Sequence, residues 1–189
     1  MVSEPSAAAA GVPPPVREPA TEADIAVVAA QLGRRPRGTR AVAHRCRCGL
    51  PDVVETTPRL ADGTPFPTLY YLTCPRAVSA CGRLESSGVM REMQARLGSD
   101  PDLAARYAAA HEDYLARRTA IEDVPEIAGV SAGGMPGRVK CLHVHLAHAL
   151  AVGPGVNPIG DEVLDLIGPW WAAGPCVSPC LPPDGTPNR

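Results

Sequence analysis

The stretch Thr68-Leu-Tyr-Tyr-Leu-Thr-Cys-Pro75 marks the point where strands give way to helices. Its β-branched and aromatic residues predict a strand from Thr68 to Thr73, and Pro75 suits the first position of a helix. Two earlier runs, Thr39 to Cys46 and Asp52 to Thr57, have a similar composition and are separated by a turn that contains glycine and proline. A small antiparallel meander of three strands is therefore predicted.

Helical patterns lie on both sides of these strands. Thr21 as an N-cap, Asp24 three residues later and Gly33 as a stop predict a first helix. Later helices are predicted at Pro75 to Ser86, Val89 to Leu97, Pro101 to Ile121, Arg138 to Val152 and Asp161 to Ile167. The expected fold is α+β, with a small three-stranded antiparallel sheet packed against five to six helices.

The length of 189 residues fits a single domain. Residues 1–20 are rich in proline and alanine without periodicity, and residues 173–189 are rich in proline. Such segments bury too little apolar surface to fold alone, so both are predicted to be disordered tails. The folded domain is expected to span residues 21–172.

The charge and hydropathy of the chain indicate which compartment the protein occupies and which classes of partner are not expected. The net charge is −2, and the basic residues form no run of the kind that binds nucleic acid or a membrane surface. The chain shows no secretory signal and no apolar stretch of roughly 20 residues, so a cytoplasmic location is expected. In a reducing compartment, the seven cysteines are interpreted as core residues, metal ligands or reactive thiols.

The segment Arg138-Val-Lys-Cys-Leu-His-Val-His-Leu-Ala-His148 is the richest in reactive groups. On a helix, at about 100° per residue, Cys141, His145 and His148 share one arc and His143 points elsewhere. On a strand, Cys141, His143 and His145 would share a face instead. We favour the helix, and His143 stays a further candidate.

Thiolate and imidazole are the ligands that zinc and other first-row metals prefer. The predicted metal ligands are Cys46, Cys74, Cys141, His145 and His148, with zinc or iron as the metal. The competing interpretation is that these residues are buried core, because free cysteine is among the most buried residue types.

Cys74 has a second interpretation. A cysteine just before the first residue of a helix lies near the positive end of the helix dipole, which lowers a thiol pKa and favours a reactive thiolate. The alternative is that Cys74 simply caps a buried helix. Cys176 and Cys180, in the proline-rich tail, are either exposed thiols or part of a flap that folds back onto the centre.

The glycine-rich loop before the Cys141 segment suggests an anion site. Gly133 and Gly134 offer flexible backbone N–H donors, and Arg138 and Lys140 offer positive charge at the start of the predicted helix. The alternative is a plain connecting loop. Asn157, in Gly-Val-Asn-Pro-Ile-Gly, either fixes a turn or contacts a ligand.

Several motifs together carry a family resemblance: Pro65-Phe-Pro-Thr-Leu-Tyr-Tyr-Leu-Thr-Cys-Pro75, Arg83-Leu-Glu85 with Gly88, Val139-Lys-Cys-Leu-His-Val-His-Leu-Ala-His148, and Asn157-Pro158 with Gly160. The chain resembles the bacterial, mainly actinobacterial, family called domain of unknown function 501, over roughly residues 24–170. The resemblance implies one domain and implies no activity, substrate or cofactor. It also implies that the segments around Cys46, Cys74, Cys141 to His148 and Asn157 are common motifs of the family.

Two classes of function stay open at this point. In the first, a metal-bound water attacks an anionic small molecule in a hydrolysis or group-transfer reaction, and the neighbouring cations stabilise negative charge. In the second, a closed structural zinc site or a cysteine-rich core supports a module that binds another protein.

Overall fold

The computed structural model describes residues 12–178, so parts of both predicted tails lie outside the described residues. The strands are β1 (Glu18–Pro19), β2 (Thr39–Arg45), β3 (Pro51–Thr56) and β4 (Tyr70–Leu72). The helices are α1 (Glu22–Leu32), α2 (Pro75–Ser87), α3 (Val89–Ser99), α4 (Pro101–Thr119), α5 (Leu142–Val152) and α6 (Pro158–Ile167), with a short 3-10 helix at Pro125–Ile127. The α+β prediction is confirmed.

The sheet is antiparallel with strand order β1-β2-β3-β4, so the prediction of three strands is wrong. The additional strand is β1, in a segment predicted as tail, where Glu18 lies opposite Val42. The neighbouring Val16 N–H donates to the Ala43 carbonyl over 3.0 Å. A strand of two residues is too short for its sequence to show the alternation of polar and apolar residues. Its Pro19 lies on the edge strand of the sheet, where the missing N–H costs no hydrogen bond.

Helix α5 begins at Leu142 rather than at the predicted Arg138. The residues between are held in the preceding loop, because the Lys140 N–H donates to the Gly133 carbonyl over 2.7 Å and the Arg138 N–H donates to the Gly134 carbonyl over 2.9 Å. These contacts prevent a continuous helix through 138–141. Cys141 consequently becomes the N-cap residue of α5, in extended backbone conformation.

Helix α5 forms the centre of the core and is buried nearly all round. It packs on β4 and on α6, and Leu142, Leu146 and Leu150 are almost completely buried. The approach of α6 is close because Gly160 has no side chain: a Cβ at this position would lie 2.2 Å from the His145 carbonyl oxygen. The backbone of α6 therefore rests directly on the backbone of α5.

None of the helices within residues 12–178 combines the length and the apolar character needed to cross a membrane.

Candidate functional site

Three potential metal ligands meet at the N-terminal end of α5. Glu85 lies near the end of α2, Cys141 is the α5 N-cap and His143 lies in the first turn of α5. His143 Nδ1 is 3.0 Å from Glu85 Oε1 and 3.8 Å from Cys141 Sγ. Within residues 12–178 this is the group of three whose ligand atoms all lie within 4.8 Å of one another. We call these residues the N-cap cluster.

Backbone groups orient the side chains of the N-cap cluster. His143 Nε2 lies 3.1 Å from the Val78 carbonyl oxygen, so Nε2 carries a proton and donates to α2. This leaves Nδ1 directed at Glu85 and Cys141. The Leu142 N–H donates to Glu85 Oε1 over 2.8 Å, which places the carboxylate at the positive end of the α5 dipole. The cluster is thus built between two helices of the core and held by both.

The charges in the N-cap cluster are mutually stabilising. The hydrogen bond from His143 lowers the pKa of Cys141, despite partial burial. The same hydrogen bond, followed by the negative charge of Glu85, raises the pKa of His143 to about 9. The side chains of His143 and Glu85 are 26% and 25% exposed, so water and small molecules reach them. The side chains of a cysteine, a histidine and a glutamate therefore face one accessible point.

His145 and His148 lie elsewhere, in a completely buried network with Asn157. Asn157 Oδ1 accepts a hydrogen bond from the Gly160 N–H over 2.9 Å, which caps α6. The amide nitrogen Nδ2 must then be the donor on the other side, 3.3 Å from His145 Nδ1 and 3.2 Å from His148 Nδ1. Both imidazoles accept through Nδ1 and carry their proton on Nε2. We call these three residues the Asn157 network.

The Nε2 atoms of the network also have protein partners. His148 Nε2–H donates to Asp113 Oδ2 over 3.0 Å. Because the Tyr107 hydroxyl donates to the Arg138 carbonyl over 2.9 Å, it accepts from His145 Nε2, which lies 3.0 Å away. All four ring nitrogens are engaged within the protein. The network joins α4, α5 and α6.

The buried network controls two pKa values. Burial lowers the pKa of His145 to about 4, because a charge there would lose its hydration. Burial alone would raise the pKa of Asp113, but hydrogen bonds from His148 and Arg117 outweigh it and lower the pKa to about 2. Near neutral pH, His145 is therefore uncharged and Asp113 is ionised.

Cys74 and Cys176 form a separate thiol pair. Cys176 folds back onto the N-terminal end of α2, and Gln31 Nε2 donates to its sulfur over 3.3 Å. Its pKa is lowered to about 6, first by the hydrogen bond from Cys74. The predicted lowering of the Cys74 pKa is wrong: the pKa is raised, because the thiol donates to Cys176 and is buried. Cys180 lies outside the described residues.

Cys46 lies at the end of β2, beside Cys48. Burial raises its pKa to about 12. The five residues predicted as one metal site are thus distributed over four places: the N-cap cluster, the Asn157 network, the Cys74 pair and the Cys46 turn.

The glycine-rich loop packs against the Asn157 network. The Gly133 carbonyl accepts from the Lys140 N–H and lies 3.2 Å from His145 Nε2. A Cβ at Gly133 would lie 2.8 Å from the His145 ring, so glycine is required by the packing. The side chains of Arg138 and Lys140 are exposed, immediately before Cys141. The loop contributes carbonyl groups inward and two cations outward.

No metal-ligand pattern in the sequence includes Glu85, which is marked only by its place in the motif Arg83-Leu-Glu85. The sequence indicates His143 only as a further candidate, because on a helix it points away from the arc that Cys141, His145 and His148 share. Tyr107 and Asp113 complete the buried network, and the sequence analysis identifies neither as a site residue. No spacing rule connects these residues to the Cys141 segment.

The molecule is thus an α+β protein in which a central buried helix carries a Cys/His/Glu cluster at its N-terminal end. The chain belongs to the family described as protein of unknown function (DUF501), whose sequence model matches residues 42–165. The matched region includes the N-cap cluster and the Asn157 network, and it confirms the resemblance. No curated protein and no solved structure matches the chain.

The first prediction concerns Asn157. In Asn157→Ala, the Gly160 N–H and both imidazole Nδ1 atoms lose their buried partner, and the free energy of unfolding is expected to fall by roughly 3–5 kcal/mol. Asp100→Ala is the matched control, because Asp100 caps α4 at an exposed position, accepting from the Leu103 N–H over 3.0 Å. It should cost about 1 kcal/mol. Equal losses in urea denaturation would contradict the role of the network.

The second prediction concerns pH. Because the His145 pKa is lowered from 6.5 to about 4 on folding, the unfolded chain binds a proton in this window and the folded chain does not. Stability is fully present above pH 6.5 and is lost as pH falls towards 4, by about 1.4 kcal/mol per pH unit. Urea denaturation at pH 7, 6 and 5 checks this. The dependence should weaken in His145→Gln and persist in His111→Gln; a flat profile in the native protein would refute it.

The third prediction concerns thiol reactivity. At pH 7, after treatment with chelator, iodoacetamide should alkylate Cys176 and Cys141 in the folded protein, because their pKa values are lowered. Cys46, Cys74 and Cys81 should react only after denaturation, since all three are buried with raised pKa values. Peptide mass spectrometry reads each site separately. Labelling of Cys74 before Cys176 would contradict the assignment of the lowered pKa to Cys176 and of the raised pKa to Cys74.

Proposed function

We propose that the protein binds a divalent first-row metal, zinc or iron, through Glu85, Cys141 and His143. The observation that carries this proposal is the convergence of three ligand atoms within 4.8 Å at a partly exposed position. Around a tetrahedral zinc ion, ligand atoms lie roughly 3.3–3.6 Å apart, given bond lengths of about 2.0–2.3 Å. The observed separations of 3.0 and 3.8 Å require only small shifts of the side chains.

The surroundings of His143 and Glu85 support this proposal. A metal-binding histidine usually donates its other N–H to a carbonyl or carboxylate, which fixes the ring and the tautomer. His143 Nε2 makes this contact with the Val78 carbonyl, and Nδ1 would release its proton when a metal binds there. The Leu142 N–H holds Glu85 in the same way. The ligands are oriented by the fold before any ion binds.

The number of protein ligands favours a catalytic metal site over a structural one. A structural zinc site uses four protein ligands, whereas a catalytic site uses three and keeps one position open for water. A bound metal would supply an acidified water molecule as nucleophile. Lys140, exposed immediately before Cys141, would attract an anionic substrate and stabilise negative charge that develops on it. Hydrolysis or group transfer on an anionic small molecule is the reaction class that this arrangement suits.

A structural zinc site is the second candidate, because Cys81 lies close to the cluster. Cys81 is completely buried on α2, one helical turn before Glu85. Burial raises its pKa to about 12, and the charges of Glu85 and Cys141 contribute further. A shift that brought this sulfur to the metal would close the site with four ligands. In that case the protein would be a non-catalytic module.

The experiment is metal analysis of protein purified without chelator and without immobilised nickel. About one equivalent of zinc or iron is expected, and Cys141→Ser and His143→Gln should lose most of it. Cys48→Ser is the matched control, since Cys48 is also a partly buried cysteine. Cys74→Ser should retain the metal, which separates the N-cap cluster from the ligand set predicted from sequence.

The metal content of further variants distinguishes the catalytic site from the structural site. Full metal content in Cys81→Ser supports the open three-ligand site, and loss of metal in that variant supports the structural site. Native protein that holds no metal after incubation with zinc and dialysis would overturn the proposal. Retention of metal by Cys141→Ser would do the same.

A further inference from the structure

A cleft lies between the exposed side of α2 and the segment that follows α6. Its volume is about 470 Å³, within the range of roughly 300–1,000 Å³ that is typical of small-molecule sites. The lining includes Arg76, Ser79 and Arg83 from α2, and Ile167, Pro169 and Trp170 from the other side. We call it the α2 cleft.

The α2 cleft and the N-cap cluster lie on different sides of α2. At about 100° per residue, Arg76 and Arg83 project roughly opposite to Glu85. The cleft is therefore a separate place on the molecule, and its occupancy does not depend on the proposed metal.

The charge on the α2 side of the cleft is positive and not neutralised. Within residues 12–178, neither Arg76 nor Arg83 forms a salt bridge with a carboxylate, unlike Arg96, which contacts Glu162. Arg76 donates one hydrogen bond to the Gly174 carbonyl. Two guanidinium groups on one helix face, with the Ser79 hydroxyl between them, form a surface suited to phosphate or carboxylate oxygens.

The opposite wall of the cleft is apolar. Trp170 is only 7% exposed, and Trp171 packs against it edge to face, with ring centroids 4.5 Å apart. Ile167 and Pro169, which are more accessible than Trp170, supply the surface of this wall that a bound molecule can contact.

We propose that the α2 cleft binds a small molecule in which a phosphate or carboxylate is attached to a planar ring. The anion contacts Arg76, Arg83 and Ser79, and the ring lies on the wall formed by Ile167, Pro169 and Trp170. Charge on one wall and an apolar surface on the other select this class over a bare anion or a neutral aromatic compound.

The test uses phenyl phosphate as the probe and tryptophan fluorescence as the signal, since Trp170 and Trp171 are the two tryptophans of the chain. Saturable quenching is expected, with affinity at least about tenfold above that for inorganic phosphate or for phenol. Arg83→Ala should weaken binding by about tenfold or more. Arg91→Ala is the matched control, because Arg91 is an exposed arginine on the neighbouring α3 outside the cleft, and should bind normally.

Isothermal titration calorimetry provides a second readout, and circular dichroism checks that Arg83→Ala is folded. Failure of phenyl phosphate to saturate at millimolar concentration would overturn the proposal, as would equal affinity for phenol or equal weakening by Arg83→Ala and Arg91→Ala. Cys141→Ser should bind the probe like the native protein. This result keeps the cleft distinct from the proposed metal centre.

Discussion

The side-chain amide of Asn157 joins α5 to α6, and the position of every functional group on α5 depends on this contact. One end of the amide caps α6, and the other end donates to His145 and His148 on α5. Gly160 allows the two backbones to touch at the same place. Since α5 is held there against α6 and through His148 against α4, its N-terminal end meets α2 at a defined distance, and Cys141 and His143 come to face Glu85.

The histidines of one short helix consequently have different roles. His145 and His148 are completely buried, and the nitrogens of both rings form hydrogen bonds within the protein. His143 is partly exposed and faces a thiol and a carboxylate, so its Nδ1 is the nitrogen available for chemistry. The difference comes from burial and partners rather than from residue type.

The periodicity of the sequence was sufficient to predict the α+β class and the helices, because apolar stripes report which faces are buried. It did not predict where α5 begins, since the extended residues before Cys141 are held by hydrogen bonds to the Gly133 loop. It also missed Glu85 as a ligand, because the contact with His143 spans 58 residues and no spacing rule reaches that far. Asn157 was interpreted as a turn residue or a ligand contact; it caps a helix and organises the core.

The most direct test of the central claim is the optical spectrum of protein loaded with cobalt(II) in place of zinc. The proposed site at the N-terminal end of α5 contains one thiolate, so the native protein should show a thiolate-to-cobalt charge-transfer band. That band should disappear in Cys141→Ser and remain in Cys46→Ser and Cys74→Ser. A band that survives in Cys141→Ser, or no band in the native protein, would show that Glu85, Cys141 and His143 do not form the metal centre.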